Sequence, residues 1–310
     1  EAPHDRKPMV QLLMSEQGRG VVYLLVGERH AVHLAASLAS LREHYAGPVA
    51  IITDRYAGYH WGLHVFGHAE TGPLQVLPAN LDASQGKLLK TLMPGLTPFD
   101  STIYLDADTL VVGSIDELWP REGEWVLTQF SDWLLSRNRM RRRVAEWRDI
   151  EPRRVSFLLD DDDPASWPVL NTAVMAWQGD GGWLAREWLA TAMKRPQDSR
   201  GTATDEMAIQ LVLTEIKDRK CRVLDRRFNA SCVFDCEGSR AGEPEDVRII
   251  HYHGFKGFKR LSGQKTFLPF YESLLAQDRY GIRAMPIPAK MVSRLPSEAV
   301  ERFRAYWTWC

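Results

Sequence analysis

The chain has 310 residues, 45% of them apolar and 25% charged, which is ordinary for a globular protein and long enough for one large α/β domain. With 39 basic and 40 acidic side chains the formal charge is −1, so no global field draws the chain to nucleic acid or to an anionic membrane. No apolar run reaches the length of a membrane span and no signal-peptide pattern opens the sequence. The expected location is the cytoplasm, with peripheral membrane attachment as the alternative, and the opening Glu1 leaves room for a segment removed from the front. Cys221, Cys232, Cys236 and Cys310 are too thinly spread for a disulfide framework, and the spacing of the central two is not that of a zinc finger or ribbon.

Val21 to Val26 reads as a first buried strand, followed by a helix through Tyr45 in which Leu34, Leu38, Leu41 and Tyr45 recur at helical spacing. His60, His64 and His68 are spaced like one helix face, but Gly62 and Gly67 argue against a helix there, and the set is taken as incidental. Val49 to Thr53 and Leu74 to Leu77 are the next strands. Then comes a helix that places Lys87 and Lys90 on one face and Leu88, Leu89 and Leu92 toward the core. Ser101 to Leu105 is rich in β-formers and ends in Asp106-Ala107-Asp108. Ser114 to Trp119 predicts a short helix with a serine N-cap, stopped by Pro120, and Trp125 to Gln129 another strand.

Asp132 to Ile150 predicts a helix, and the stretch from Arg137 to Arg154 carries eight arginines above a buried stripe of Met140, Val144 and Trp147. It is either a solvated charged face or a surface for an anionic acceptor: glycan, lipid head group or nucleic acid. Leu159 to Pro164 is an acidic loop, Val169 to Trp177 a buried strand and Gly179 to Gly182 a turn. Helices follow over Trp183 to Lys194 and Ala203 to Lys217, and Val247 to Tyr252 is the last clear strand. Strands alternating with helices predict an α/β fold with a mostly parallel central sheet flanked by helices.

Asp106 falls at the carboxyl end of its strand, the edge at which open α/β sheets bind ligands. Residues two apart on extended chain point the same way, so both carboxylates can meet one hard cation while Ala107 packs behind them. Two acids this close repel unless a positive charge joins them, and a cation holding a nucleotide diphosphate would do so. The competing reading is a strand-end turn with solvated acids.

From Thr102 through Trp119 the sequence resembles, almost position by position, the strand, D-x-D and short helix of family 8 retaining glycosyltransferases, the glycogenin and lipopolysaccharide galactosyltransferase type. Four further patches are similar in the same order. They are Lys87 and Lys90; Asp132; Asn171 to Met175 with Asp205 to Ala208; and Ile249 to Lys256. The resemblance implies a Rossmann-like GT-A fold in a single domain over the whole chain. Its core covers roughly residues 20 to 260, and a helical or loop extension fills the rest. It implies Asp106, Asp108 and His251 as ligands of Mn²⁺, with Mg²⁺ as the alternative, and Asp106, Ala107, Lys87 or Lys90, and Lys256 or Lys259 at the diphosphate of a nucleotide-sugar donor, first of all a UDP-hexose. It implies Asn171, Asp205 and Asp132 at the sugar, Asp132 having an N-cap as its other reading. Glu206 stands where the galactosyltransferase pattern has glutamine. A carboxylate there could stabilise an oxocarbenium ion or form a covalent intermediate, or be no more than a favourable acid in a helix's first turn. His253 is the alternate ligand to His251, and Gly257 occupies the register of the family's closing lysine.

The implied activity is metal-dependent transfer of a hexose to an acceptor hydroxyl with retention. Two rivals differ from it in kind. A sugar-nucleotide-forming nucleotidyltransferase would want a Gly-rich phosphate loop after the first strand, where only Gly27-Glu28-Arg29 stands. A non-catalytic anion- or nucleic-acid-binding module would rest on the arginine helix.

Overall fold

The computed structural model describes residues 18–27, 30–54, 74–79, 81, 83–129, 141, 143–159, 170–179, 182–194, 204–215, 221–231 and 246–251. Its main sheet has seven strands: β1 (Arg19–Leu25), β2 (Val49–Thr53), β3 (Leu74–Pro78), β4 (Ser101–Leu105), β6 (Trp125–Gln129), β7 (Leu170–Gln178) and β8 (Cys221–Leu224). They lie in the order β3-β2-β1-β4-β7-β6-β8. Every pairing is parallel except those of β7, which runs against both β4 and β6. A second sheet, in the order β5-β10-β9, joins β5 (Thr109–Val111), β9 (Ala230–Ser231) and β10 (Ile249–His251).

β1 and β4 sit inside the sheet because their Val, Ile, Leu and Tyr side chains can be buried on both faces. At the start of β1 the ring of Phe99 leaves no room for a side chain, since a Cβ on Gly20 would lie 2.5 Å from it. At the exit Gly27 adopts φ +69°, and its N–H donates to Asp54 Oδ2 at 3.1 Å, tying the ends of β1 and β2 together.

Helix α1 (Ala31–Arg42) buries Leu34, Leu38 and Leu41 and packs on β1 and β5. It ends three residues before the predicted Tyr45, whose chain turns back through bonds from Arg42 to the carbonyls of Tyr45 and Gly47. The segment that carries Lys87 and Lys90 is a 3-10 helix, Ala83–Leu92, which passes into a single α turn, α2 (Met93–Leu96). The short helix after the acids is a 3-10 turn, Asp116–Leu118. Its N-cap position is Ile115, not Ser114, although the Ser114 hydroxyl still accepts from Asp116 N–H at 3.1 Å. Of the arginine helix, residues 143 to 147 are helical and 148 to 150 form a turn. A separate helix the sequence did not signal, α3 (Pro152–Leu159), follows.

The helices α4 (Gly182–Met193) and α5 (Thr204–Glu215) pack on each other, and α5 also packs on β7 and the 3-10 helix. Trp147, Trp177 and Trp188 are fully buried beside Tyr104, Met175 and Met207. Each such indole removes roughly 200 Å² from water, worth on the order of 5 kcal/mol before conformational entropy is subtracted. Trp188 also donates Nε1–H to the Asp205 carbonyl at 2.7 Å, so the core holds the first turn of α5 in place. Among the described residues no helix is long and apolar enough to cross a membrane.

β8 is fastened to the segment after β5 by one arginine. Arg222 meets both oxygens of Glu124 at 3.0 and 3.1 Å and donates to the carbonyls of Glu117 and Trp119 at 2.7 and 3.0 Å. Burial alone would raise the Glu124 pKa, but the bonds from Arg222 and from Arg121 N–H overcome it and hold the carboxyl below its usual range. This contribution is present above the ordinary glutamate pKa and is lost as pH falls through the depressed value. Arg222→Met is expected to cost about 2 kcal/mol, less than a fully buried pair because the guanidinium is partly exposed. Urea unfolding at neutral and acidic pH checks this, and a difference from wild type that does not shrink in acid would contradict it.

Candidate active site

The carboxyl end of β4 is where the structure gathers its charges. The sequence predicts that extended backbone aligns the two acids, but the chain turns there instead. Asp106 N–H donates to Ala173 O at 2.7 Å, Thr109 N–H and Oγ1–H both return to Asp106 O at 3.2 and 2.8 Å, and β5 begins at once in the second sheet. The tight turn, closed by the threonine hydroxyl, brings the acids together. Ala107 is buried behind them. β10 pairs antiparallel with β5, setting His251 opposite Thr109. Ligand atoms of Asp106, Asp108 and His251 consequently lie within 4.8 Å of one another, and His251 Nε2 is 3.4 Å from Asp108 Oδ1.

Lys90 lies against the same pair. Its Nζ donates to Asp106 Oδ2 at 2.7 Å and to Thr172 Oγ1 at 3.4 Å, and stands 3.9 Å from Asp205 Oδ2. Burial would depress the lysine pKa, but the charges of Asp106, Asp205 and Glu206, with the bond to Asp106, overcome that and hold it above the ordinary lysine range. Tyr104 gives its hydroxyl to the other oxygen of Asp106 at 2.6 Å, and burial followed by the nearby acids keeps that phenol protonated. Lys87, by contrast, is exposed. Lys90, one turn further along the 3-10 helix, is the lysine paired with Asp106.

β7 supplies the opposite wall. Its pairing with β6 shifts between Leu127–Met175 and Thr128–Asn171, so Thr172, Ala173 and Val174 bow away from β6 toward the exit of β4. Thr172 Oγ1 donates to Asp205 Oδ2 at 2.7 Å, while the other oxygen of Asp205 is buried with no hydrogen-bond partner among the described residues. Asn171 donates to Glu206 Oε1 at 2.6 Å and accepts from Ala173 N–H and Asn229 Nδ2, both at 2.8 Å. Glu206 Oε2 is paired with Arg143, itself nearly buried.

The arginine segment is therefore no uniform charged face. Arg143 turns inward to Glu206, and Arg154 to Glu187 and Thr191, while Arg141, Arg148 and Arg153 are exposed. The structure brings Lys90, Asp106, Asp108, Asn171, Asp205, Glu206 and His251 into one region. Tyr104, Arg143, Thr172 and Asn229 belong there too and were not singled out by the sequence. Thr172, inside the Asn171 to Met175 patch, and Tyr104, inside the Thr102 to Trp119 patch, sat in stretches that carried a signal. Asp132, His253, Lys256, Lys259, Cys232, Cys236, Cys310, the triad His60, His64 and His68, and the chain after His251 lie outside the described residues.

No protein-family profile matches the sequence, and no curated protein is similar to it. Solved structures are. The glycosyltransferase GlyE of Streptococcus pneumoniae TIGR4 superposes with a TM-score of 0.55 at 14% identity, over 86% of this chain and 62% of that one. The galactosyltransferase LgtC, solved with donor and acceptor sugar analogs, gives 0.52 at 14% identity over 89% of this chain and all of its own. The bifunctional glycosyltransferase WbbM gives 0.51 at 11% identity over 82% of this chain and 51% of that one. The chain thus spans about three fifths of the length of GlyE and half that of WbbM. The shared architecture is the GT-A fold expected from the sequence, with its mostly parallel sheet.

Proposed function

We propose that the protein is a metal-dependent retaining glycosyltransferase, akin to family 8, that moves a hexose from a nucleotide diphosphate sugar, first of all a UDP-sugar, to an acceptor hydroxyl. One observation carries this reading: two carboxylates and an imidazole converge within 4.8 Å at the carboxyl edge of a GT-A sheet. The donor set fits the group. Hard carboxylate oxygens with a single imidazole suit Mn²⁺, or Mg²⁺ in its place, and leave positions for diphosphate oxygens. Asp106, Asp108 and His251 would hold that cation, which when bound supplies Lewis-acid stabilisation of the departing diphosphate.

The remaining steps belong to this chain's side chains. Lys90 holds a fixed positive charge beside Asp106, where it can stabilise the same leaving group, and Lys256 or Lys259 is proposed to add to it. Asn171 and Asp205 line the sugar side, and Asp205 Oδ1, buried and without a partner among the described residues, is suited to accept a hydrogen bond from a sugar hydroxyl. Asp132 is proposed for a second hydroxyl. Glu206 is assigned the position nearest the reacting carbon. Both of its oxygens already accept bonds, from Arg143 and Asn171, which favours electrostatic support of an oxocarbenium ion over covalent attack. The anion-binding alternative has less behind it, because Arg143 and Arg154 are engaged within the protein.

The test is incubation of the protein with Mn²⁺ and a panel of nucleotide sugars, followed by measurement of free nucleoside diphosphate. Slow release without acceptor, faster with one, is the expected result. No release from any donor, with or without Mn²⁺, would dismiss the transferase reading.

A further inference from the structure

A line of hydrogen bonds runs from Glu206 through Asn171 and Asn229 to His251, and its polarity can be worked out from groups that act in only one way. The backbone N–H of Ala173 can only donate, so the Asn171 atom 2.8 Å from it is the amide oxygen. The Asn171 nitrogen then faces Glu206 Oε1 at 2.6 Å, a carboxylate whose other oxygen is on Arg143. The Asn171 oxygen takes a second bond, from Asn229 at 2.8 Å, so the Asn229 atom there is its nitrogen. The same Asn229 atom lies 3.0 Å from Thr128 Oγ1, whose own hydrogen goes to Val174 O, so Thr128 can only accept from it. Two separate acceptors thus agree on which end of Asn229 is nitrogen. The other end, its oxygen, is 3.1 Å from His251 Nδ1.

An oxygen facing Nδ1 demands a hydrogen on Nδ1, because two lone pairs at that distance would repel. We infer that Asn229 is a positioning residue which fixes His251 with its hydrogen on Nδ1 and Nε2 turned to Asp106 and Asp108, and that Asn171 transmits this constraint from the sugar side. The inference deepens the metal-site reading above and rests on it. Burial makes the arrangement binding, since Asn229 is 1%, Asn171 3% and His251 5% exposed, so water cannot readily replace any link. Asn229 arrives from the turn after a 3-10 helix, Arg226–Phe228, and is held next to β9, which pairs with β10 and so fixes its distance from His251.

Two measurements without any donor test this. In metal-free wild-type protein with ¹⁵N-labelled imidazoles, long-range ¹H–¹⁵N spectra at mildly alkaline pH should show hydrogen on Nδ1 of His251, its signal identified by absence from His251→Gln. In Mn²⁺ titrations followed by electron paramagnetic resonance, Asn229→Leu should weaken binding about 10- to 100-fold, the usual effect of losing an outer partner of a ligand. Asn229→Asp, which restores an oxygen opposite Nδ1 but sets its second oxygen against the acceptors Asn171 and Thr128, should recover part of that loss. A bare Nδ1 with hydrogen on Nε2, or Asn229→Leu binding Mn²⁺ as tightly as wild type, overturns the inference and leaves the metal site standing. Wild-type protein that takes up no Mn²⁺ overturns the metal site and the inference together. Because the spectrum is taken on wild type, it decides even if the leucine variant fails to fold.

Discussion

Asp108→Asn is expected to lower transfer by at least about 10³-fold at saturating Mn²⁺ while leaving the fold intact. A rate loss of that size corresponds to about 4 kcal/mol of transition-state stabilisation, within what a bound cation supplies to a departing phosphate. The asparagine is nearly isosteric, and the side chain is partly exposed in a turn closed by Thr109 rather than by Asp108. Removing one of the crowded negative charges of Asp106, Asp108 and Asp205 should not lower stability. The matching change at Asp106 is a poorer probe. Both oxygens of Asp106 carry internal donors, Lys90 and Tyr104, so Asp106→Asn would strand a buried ammonium 3.9 Å from Asp205 and confound chemistry with stability. Nucleotide release and thermal unfolding measured together settle the matter. Activity of Asp108→Asn within about tenfold of wild type would mean that Asp108 holds no cation the reaction needs.

The parts of this site legible in the sequence are those that sit on regular elements. β2, β4 and β6 fall on the predicted residues because a short run of β-formers ended by a turn residue is a strand signal written in the local sequence. Asp106 and Asp108 were singled out by their place at a strand end, and His251 by the family resemblance of Ile249 to Lys256. β5 and β9 did not, being three and two residues long and held in a small sheet by partners far away in the chain, with too few positions to show a period. Arg143 was hidden for a related reason. Among eight arginines, nothing local marks Arg143 for burial, since that depends on Glu206, 63 positions on. Asn229 belongs to no pattern at all, and its role exists only because β9 and the bowed stretch of β7 bring Asn171, Thr128 and His251 around it. The convergence of the acids was foreseen for the wrong reason. Extended geometry is absent where they meet, and a turn that sequence periodicity does not encode supplies it instead.

Glu206→Gln should lower kcat about 10²-fold with little change in donor KM, the pattern for an interaction made mainly in the transition state. It should also destabilise the protein by about 3 kcal/mol, because Arg143 is nearly buried and loses the carboxylate that compensates its charge. These two effects have separate causes, and a second substitution divides them. In Arg143→Met with Glu206→Gln the buried cation is gone and the glutamine oxygen can still accept from Asn171, so most of the lost stability should return. Transfer should not return with it, since the negative charge near the reacting carbon is still missing. Recovery of both in the double variant would show that Glu206 serves only to balance Arg143. The oxocarbenium role would then pass to another group, and the chain's departure from the glutamine of the galactosyltransferase pattern would be a matter of pairing with the arginine helix rather than of mechanism.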